Sequence, residues 1–137
     1  MKEILDFLNK CRTYYVGTVD ENGQPRVRPF GFVMEWNGKP AFCTGTVKPV
    51  YKQLQQNPHV EICAFMPEIM QWMRLSGKVK FTDEIAARRK VLETMPELKK
   101  IYQSEENPVL TCFYIEEGEA AFYSFASMNE PTKIIKI

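Results

Sequence analysis

Histidine is nearly absent from this chain: His59 is the only one among 137 residues. One imidazole cannot build a multi-histidine zinc site, and a place just after Pro58, at a helix exit, ill suits the base of a serine nucleophile. Cysteine is scarce and scattered. Cys11, Cys43, Cys63 and Cys112 never fall in CxxC spacing, which argues against a metal knuckle or a dithiol redox pair. Each lies in an apolar run, the pattern of free, buried thiols in a reducing cytoplasm. No GxGxxG fingerprint occurs, so no dedicated dinucleotide-binding domain is expected. The net charge of +1 announces no nucleic-acid partner. No apolar run reaches the roughly 20 residues that cross a bilayer. The N-terminal MKEILDFLNKCR carries Glu3 and Asp6 and reads as an amphipathic helix, not a signal peptide. These absences point to a cytoplasmic protein without membrane association, and the length fits one domain, 1–137.

What is present is a chain rich in strands, with 45% hydrophobic and 12% aromatic residues. Ile4, Leu5, Leu8 and Cys11 share one face of a helix over 2–11. From Arg12 to Gly45 the pattern reads as three strands. TYYVGTV is β-branched and aromatic. PRVRPFGFVMEW alternates, with Val27, Pro29, Gly31 and Val33 on one face and Arg26, Arg28, Phe30 and Phe32 on the other. Asn37-Gly38 signals a hairpin that returns through KPAFCT. A short helix fits 51–56 and stops at Asn57-Pro58. VEICAFM and QWMRLSGKVKFT are further strands, with Gly77 marking a bend or bulge. The spacing predicts a helix over 83–95, capped by Thr82 or Asp83, and a helical piece over 97–102. VLTCFYIEE and EAAFYSF read as two strands parted at Gly118, and Thr132 to Ile137 can add a last one. Many strands, few helices and no βαβ alternation give a mainly-β fold, an antiparallel barrel with helices over its ends.

Phe42 to Pro58, FCTGTVKPVYKQLQQNP, carries the most chemistry. A strand ends in Thr44-Gly45-Thr46, Lys48 follows, and a helix begins. Backbone N–H groups at a helix start, with a lysine beside them, can cradle a phosphate. Taken alone, such a segment is more often an ordinary strand–turn–helix link. Arg26 and Arg28 add a modest positive patch, though an exposed arginine on a strand is the plainer reading. Tyr14, Tyr15 and Trp36 read as packing residues, and Lys78 as solvent-facing.

The order and spacing of RVRPFGF at 26–32, FCTGTVKPVYKQLQQNPHV at 42–60 and WMRLSGKVKF at 72–81 resemble the pyridoxamine 5'-phosphate oxidase-like FMN-binding split barrels. The likeness covers nearly the whole chain and is greatest to the small, stand-alone members. It implies an antiparallel split β-barrel, FMN as cofactor, and a homodimer with two FMN sites at the subunit interface. It places Arg28, Pro29 and Phe30 along the flavin. Thr44, with Gly45 and Thr46 after it, falls beside the ring and the phosphate arm. Gln71, Trp72 and Arg74 become contacts often supplied by the partner. The oxidases carry an Arg-Lys pair where this chain has Pro49-Val50, so the phosphate falls to Lys48 or Lys52. They also carry a C-terminal substrate-binding portion with no equivalent after Phe125, so pyridoxamine phosphate oxidation is not expected.

No side chain stands out as an obligatory acid or base. That suits flavin chemistry, in which the isoalloxazine carries the electrons and the protein orients it. The expected function is an FMN-dependent oxidoreductase that moves electrons or hydride between a nicotinamide or other donor and a small molecule. A non-catalytic flavin carrier or sensor is the alternative, as is a barrel for another planar ligand such as haem or a deazaflavin. Haem would need an axial ligand other than His59. Period-two alternation puts Trp72, Arg74 and Ser76 on one strand face and Gln71, Met73 and Leu75 on the other. Trp72 and Arg74 are assigned to the flavin and Met73 and Leu75 to the core, with Gly77 as the point where a bulge would exchange them.

Overall fold

Strand alternation builds the interior of this protein, and a computed structural model describes it for residues 1–127 and 130–137. Helix α1 (Lys2–Cys11) is followed by β1 (Tyr14–Val19), β2 (Pro25–Phe30), β3 (Met34–Trp36) and β4 (Lys39–Gly45). Then come α2 (Pro49–Gln56), β5 (His59–Met66), β6 (Gln71–Thr82), α3 (Ile85–Thr94), a 3-10 turn (Pro96–Leu98) and α4 (Lys99–Tyr102). The long β7 (Leu110–Ser124) and the short β8 (Lys133–Lys136) complete the order. The strands run β2-β1-β5-β6-β7-β4-β3, all antiparallel, with β8 added to β7. β2 and β3 remain as edges, so the fold is mainly β, an antiparallel barrel that is split and not closed.

Inward residues of β1, β4, β5, β6 and β7 meet in a first core. Tyr14 and Val16 of β1, Phe42 of β4, Val60, Ile62 and Ala64 of β5, Met73 and Leu75 of β6, and Phe113 and Ile115 of β7 line it. Helices α1 and α2 close it with Ile4, Phe7, Leu8, Val50 and Leu54. Phe7, absent from the face expected for α1, packs edge-on against Phe122 at 5.6 Å. A second core lies on the other side of β4, where Ala41 and Cys43 meet Ala87, Val91 and Leu92 of α3 and Tyr102 of α4. α3 and α4 therefore cover a flank of the sheet, not an end of the barrel.

Long-range contacts revise four local expectations. PRVRPFGFVMEW is two strands, because residues 31–33 leave the ladder and the Phe32 carbonyl accepts the buried Tyr14 hydroxyl. Residues 110–124 are one strand, because Gly118 lies directly against Gly77 of β6. A Cβ on Gly118 would stand 2.1 Å from the Ser76 carbonyl oxygen, and one on Gly77 would stand 2.2 Å from that of Glu117. The register slips next to this close approach, between Lys78 and Val79. Helix α3 starts two residues later than expected, at Ile85, with no side-chain cap bond, although the Thr82 hydroxyl accepts from the Glu84 N–H at 3.3 Å. Cys63 is exposed, unlike buried Cys43 and Cys112, because β5 turns Val60, Ile62 and Ala64 inward and the residues between them outward.

Candidate functional site

Arg28 is held where β1, β2 and α2 converge. Its Nη1 donates to the Val16 carbonyl at 3.1 Å and to the Thr18 hydroxyl at 2.7 Å, and its Nη2 donates to the Gln53 Oε1 at 2.7 Å. The Thr18 hydroxyl donates to the same Gln53 oxygen at 2.6 Å. All three acceptors are neutral. Burial alone moves the Arg28 pKa, and moves it down, with no carboxylate opposing that shift.

Beside Arg28 lies a cleft of about 310 Å³, lined by Arg28, Pro29, Phe30, Gly31, Phe32, Cys43, Thr44, Lys48 and Val50 and closed by the arm of Met95, Leu98, Ile101 and Tyr102. β4 brings Thr44 to it, and the tight turn from Gly45 to Lys48 brings the lysine, with the Lys48 N–H bonded to the Gly45 carbonyl at 3.0 Å. Lys48 is the N-cap of α2 and makes no side-chain cap bond. Pro49 supplies the preset φ of the first helical position. Thr44 is 3% exposed, and its hydroxyl oxygen has no hydrogen-bond partner. Such an orphan costs about 1–3 kcal/mol unless something outside the chain bonds to it. Among the described residues neither Arg28 nor Lys48 has a carboxylate within ion-pair distance. The residues that line it thus include two cations without a carboxylate partner, a threonine whose buried hydroxyl is an orphan, and no acid, a combination suited to an anionic ligand with a flat apolar body.

The profile of the pyridoxamine 5'-phosphate oxidase family matches residues 1–120. The chain belongs to that family. A solved NimC/NimA family protein from Clostridium acetobutylicum is 36% identical, with a TM-score of 0.89 over 100% of this chain and 93% of that one. General Stress Protein 26 from Bacillus anthracis superposes with a TM-score of 0.77 at 14% identity, covering 99% of this chain and 97% of that one. A pyridoxamine 5'-phosphate oxidase-related, FMN binding protein from Nostoc punctiforme does so at 0.67 and 18% identity, over 91% of this chain and 84% of that one. At those identities the last two carry the fold alone. No curated protein matches the sequence.

Within this family fold, the residues named from the sequence divide into groups. Arg28, Pro29, Phe30, Thr44 and Lys48 share the cleft. Gly45 and Thr46 form the turn beneath it, where a Cβ on Gly45 would reach the Tyr102 hydroxyl at 3.5 Å. Lys52 points away, onto an exposed groove, with its Nζ 3.8 Å from Glu21. Arg26 is also withdrawn, its Nε 2.9 Å from the Asp20 carboxylate that also accepts from the Asn22 and Gln24 N–H groups. Gln71 lines a groove beside α1. Trp72 and Arg74 occupy the outer sheet face, where Trp72 stacks on Tyr123 at 5.3 Å, Arg74 lies 5.9 Å from the same ring, and Phe65 and Phe125 are exposed nearby. Met73 and Leu75 are fully buried, since the register slip lies beyond them. Within one chain, this outer group does not reach the cleft.

Thr18, Gln53 and the arm from Met95 to Tyr102 were not singled out by sequence reasoning. Thr18 had a signal: it is the polar residue on the inward face of β1, in step with Tyr14 and Val16. Leu98, Ile101 and Tyr102 had one too, an i, i+3, i+4 apolar set after Pro96. Gln53 had none, because its partner lies 25 residues away. Among the described residues no cluster of histidine, cysteine or carboxylates could hold a metal ion, and no helix is long and apolar enough to cross a membrane.

Proposed function

We propose that this protein is an FMN-dependent oxidoreductase, a single cytoplasmic domain that works as a homodimer. The observation that carries the reading is the cleft: an orphan buried hydroxyl on Thr44 beside two cations that no acid neutralises. Arg28, Lys48 and the start of α2 take the phosphate, and the fixed N–H groups of a helix start favour its negative charge. Thr44 bonds to a polar atom of the flavin. Phe30, Phe32, Met95, Leu98 and Ile101 give apolar surface to the ring and keep water from it. Bound there, FMN supplies reversible electron and hydride transfer, so the chain need not provide a catalytic acid or base.

The homodimer follows from what one chain leaves unfinished. The cleft is at the low end of the ~300–1,000 Å³ typical of small-molecule sites. Pro29 lines it and pairs across the ladder with Tyr15, a residue 53% exposed. The cleft rim therefore runs into the outer aromatic face of Tyr15, Phe65, Trp72 and Phe125. A second copy on that face brings the partner subunit's Trp72 and Arg74 toward the flavin, whereas Gln71 stays on the opposite strand face. Absorption spectra before and after adding FMN, with parallel titrations of FMN and riboflavin, test the reading. The expectation is tenfold to a hundredfold tighter FMN, about 1.5–3 kcal/mol for a charge-assisted contact. Equal affinities would sink it. Reduction of the bound flavin by NADH or NADPH then separates an enzyme from a carrier.

A further inference from the structure

Charges at this end of the barrel are sorted. Asp20 is taken by Arg26 at 2.9 Å and Glu21 by Lys52 at 3.8 Å. Arg28 lies in the same region, partly buried, yet it is anchored only by a carbonyl, a hydroxyl and an amide oxygen. If its role were solely to pin β1, β2 and α2 together, a carboxylate would do so more strongly and would pair the buried charge. Glutamate in place of Gln53 has the same reach. The neutral anchor instead leaves the guanidinium with its full charge and with two of its five N–H donors unspent. The bonds also form a directed chain, Arg28 to Thr18 to Gln53, which fixes the Gln53 amide with its oxygen turned inward.

We infer that Gln53 and Thr18 are positioning residues: they hold the Arg28 guanidinium at the cleft and keep it unneutralised, so that the site selects a phosphate-bearing ligand over its uncharged analogue. The inference rests on the flavin reading above and deepens it. The test compares wild type, Gln53→Leu, Gln53→Glu and Thr18→Val by titration with FMN and with riboflavin. Nitrogen-15 NMR of the arginine side chains, assigned through Arg28→Lys, reports whether Arg28 is held. Gln53→Leu removes the anchor: the slowly exchanging Arg28 signals should disappear and FMN affinity should fall about tenfold or more, with riboflavin within about threefold. Gln53→Glu keeps an acceptor but adds charge: Arg28 should stay ordered while the preference for FMN is lost. Thr18→Val should resemble Gln53→Leu more mildly, and together with Gln53→Glu it decides the matter if Gln53→Leu does not fold. An FMN preference kept in both Gln53 variants, or FMN and riboflavin weakened equally as from a general packing defect, overturns the inference. If wild type binds neither flavin, the flavin reading fails by itself. The Arg28 signals then decide the positioning claim: their loss in Gln53→Leu supports it, and their persistence overturns it.

Discussion

Replacing Thr44 with valine should move two quantities in opposite directions. The side chain is 3% exposed on β4, and its hydroxyl lacks a partner within the chain. Valine keeps the β-branched shape that a strand favours and removes the orphan. Without ligand, the variant should gain about 1–3 kcal/mol, the desolvation cost of an unmet buried polar group. At roughly 4 °C per kcal/mol for a chain of this size, the midpoint rises by about 4–12 °C. With FMN, the same hydroxyl is a lost contact. A neutral bond is worth about 0.5–1.5 kcal/mol and a charge-assisted one up to about 3, so Kd should rise by between about twofold and somewhat over a hundredfold. Saturating FMN should therefore protect the variant less than wild type, although the variant starts higher. Thermal melts at fixed protomer concentration, with and without FMN, and calorimetric titration measure both sides. A fall in ligand-free stability would mean that the hydroxyl is already satisfied within the fold. Unchanged FMN affinity would mean that the ligand does not reach Thr44, and the assignment of the cleft would fail with it.

Lys48→Ala should weaken FMN about tenfold to a hundredfold and leave riboflavin nearly unchanged, while Lys52→Ala, which loses only an exposed pair with Glu21, should alter neither; the reverse result in paired titrations would move the phosphate to the outer flank of α2. Gly118→Ala should cost at least about 3 kcal/mol or abolish folding, because the new methyl meets the Ser76 carbonyl oxygen at 2.1 Å, backbone that cannot swing aside; a urea midpoint near wild type would contradict this close approach. Burial pushes the Cys43 and Cys112 thiols up to about 12. A raised folded pKa favours the protonated thiol, so their contribution is intact below the ordinary thiol range and is lost as pH climbs through it toward 12, by up to about 1.4 kcal/mol per unit per thiol. Urea unfolding from pH 8 upward should show this slope, and alanine at both positions should flatten it. Phe65→Glu should convert the proposed dimer, which would bury roughly 2,000 Å², to monomers with weakened FMN binding, read by light scattering and titration; a dimer unchanged by the substitution would place the interface elsewhere.

Much of this protein is legible along its chain because alternation is a local property. β6 shows it: the two-residue period parts Met73 and Leu75 from Trp72 and Arg74, side-chain chemistry gives the first pair to the core, and both are fully buried there. The Asn37-Gly38 turn is local as well, with φ of 50° and 75° at the two residues, the left-handed pair that such a hairpin requires. The threonine and lysine around Gly45 could be picked out because a strand end, a glycine turn and a helix start follow one another directly. Other features depend on what the chain meets elsewhere. Gly118 looks like a break until Gly77 lies against it, where two missing side chains let β6 and β7 approach closely while β7 runs on unbroken. Arg26 and Arg28 are indistinguishable by period, yet the 20–24 turn folds a carboxylate onto the first and leaves the second to Thr18 and Gln53. The helical arm that closes the cleft joins Phe30 and Thr44 only through packing across the second core. Which residues face inward follows from spacing along one strand. Which charges stay free, and which hydroxyl is left without a partner, follows from every group that folding brings within hydrogen-bond reach, and only the assembled barrel contains that information.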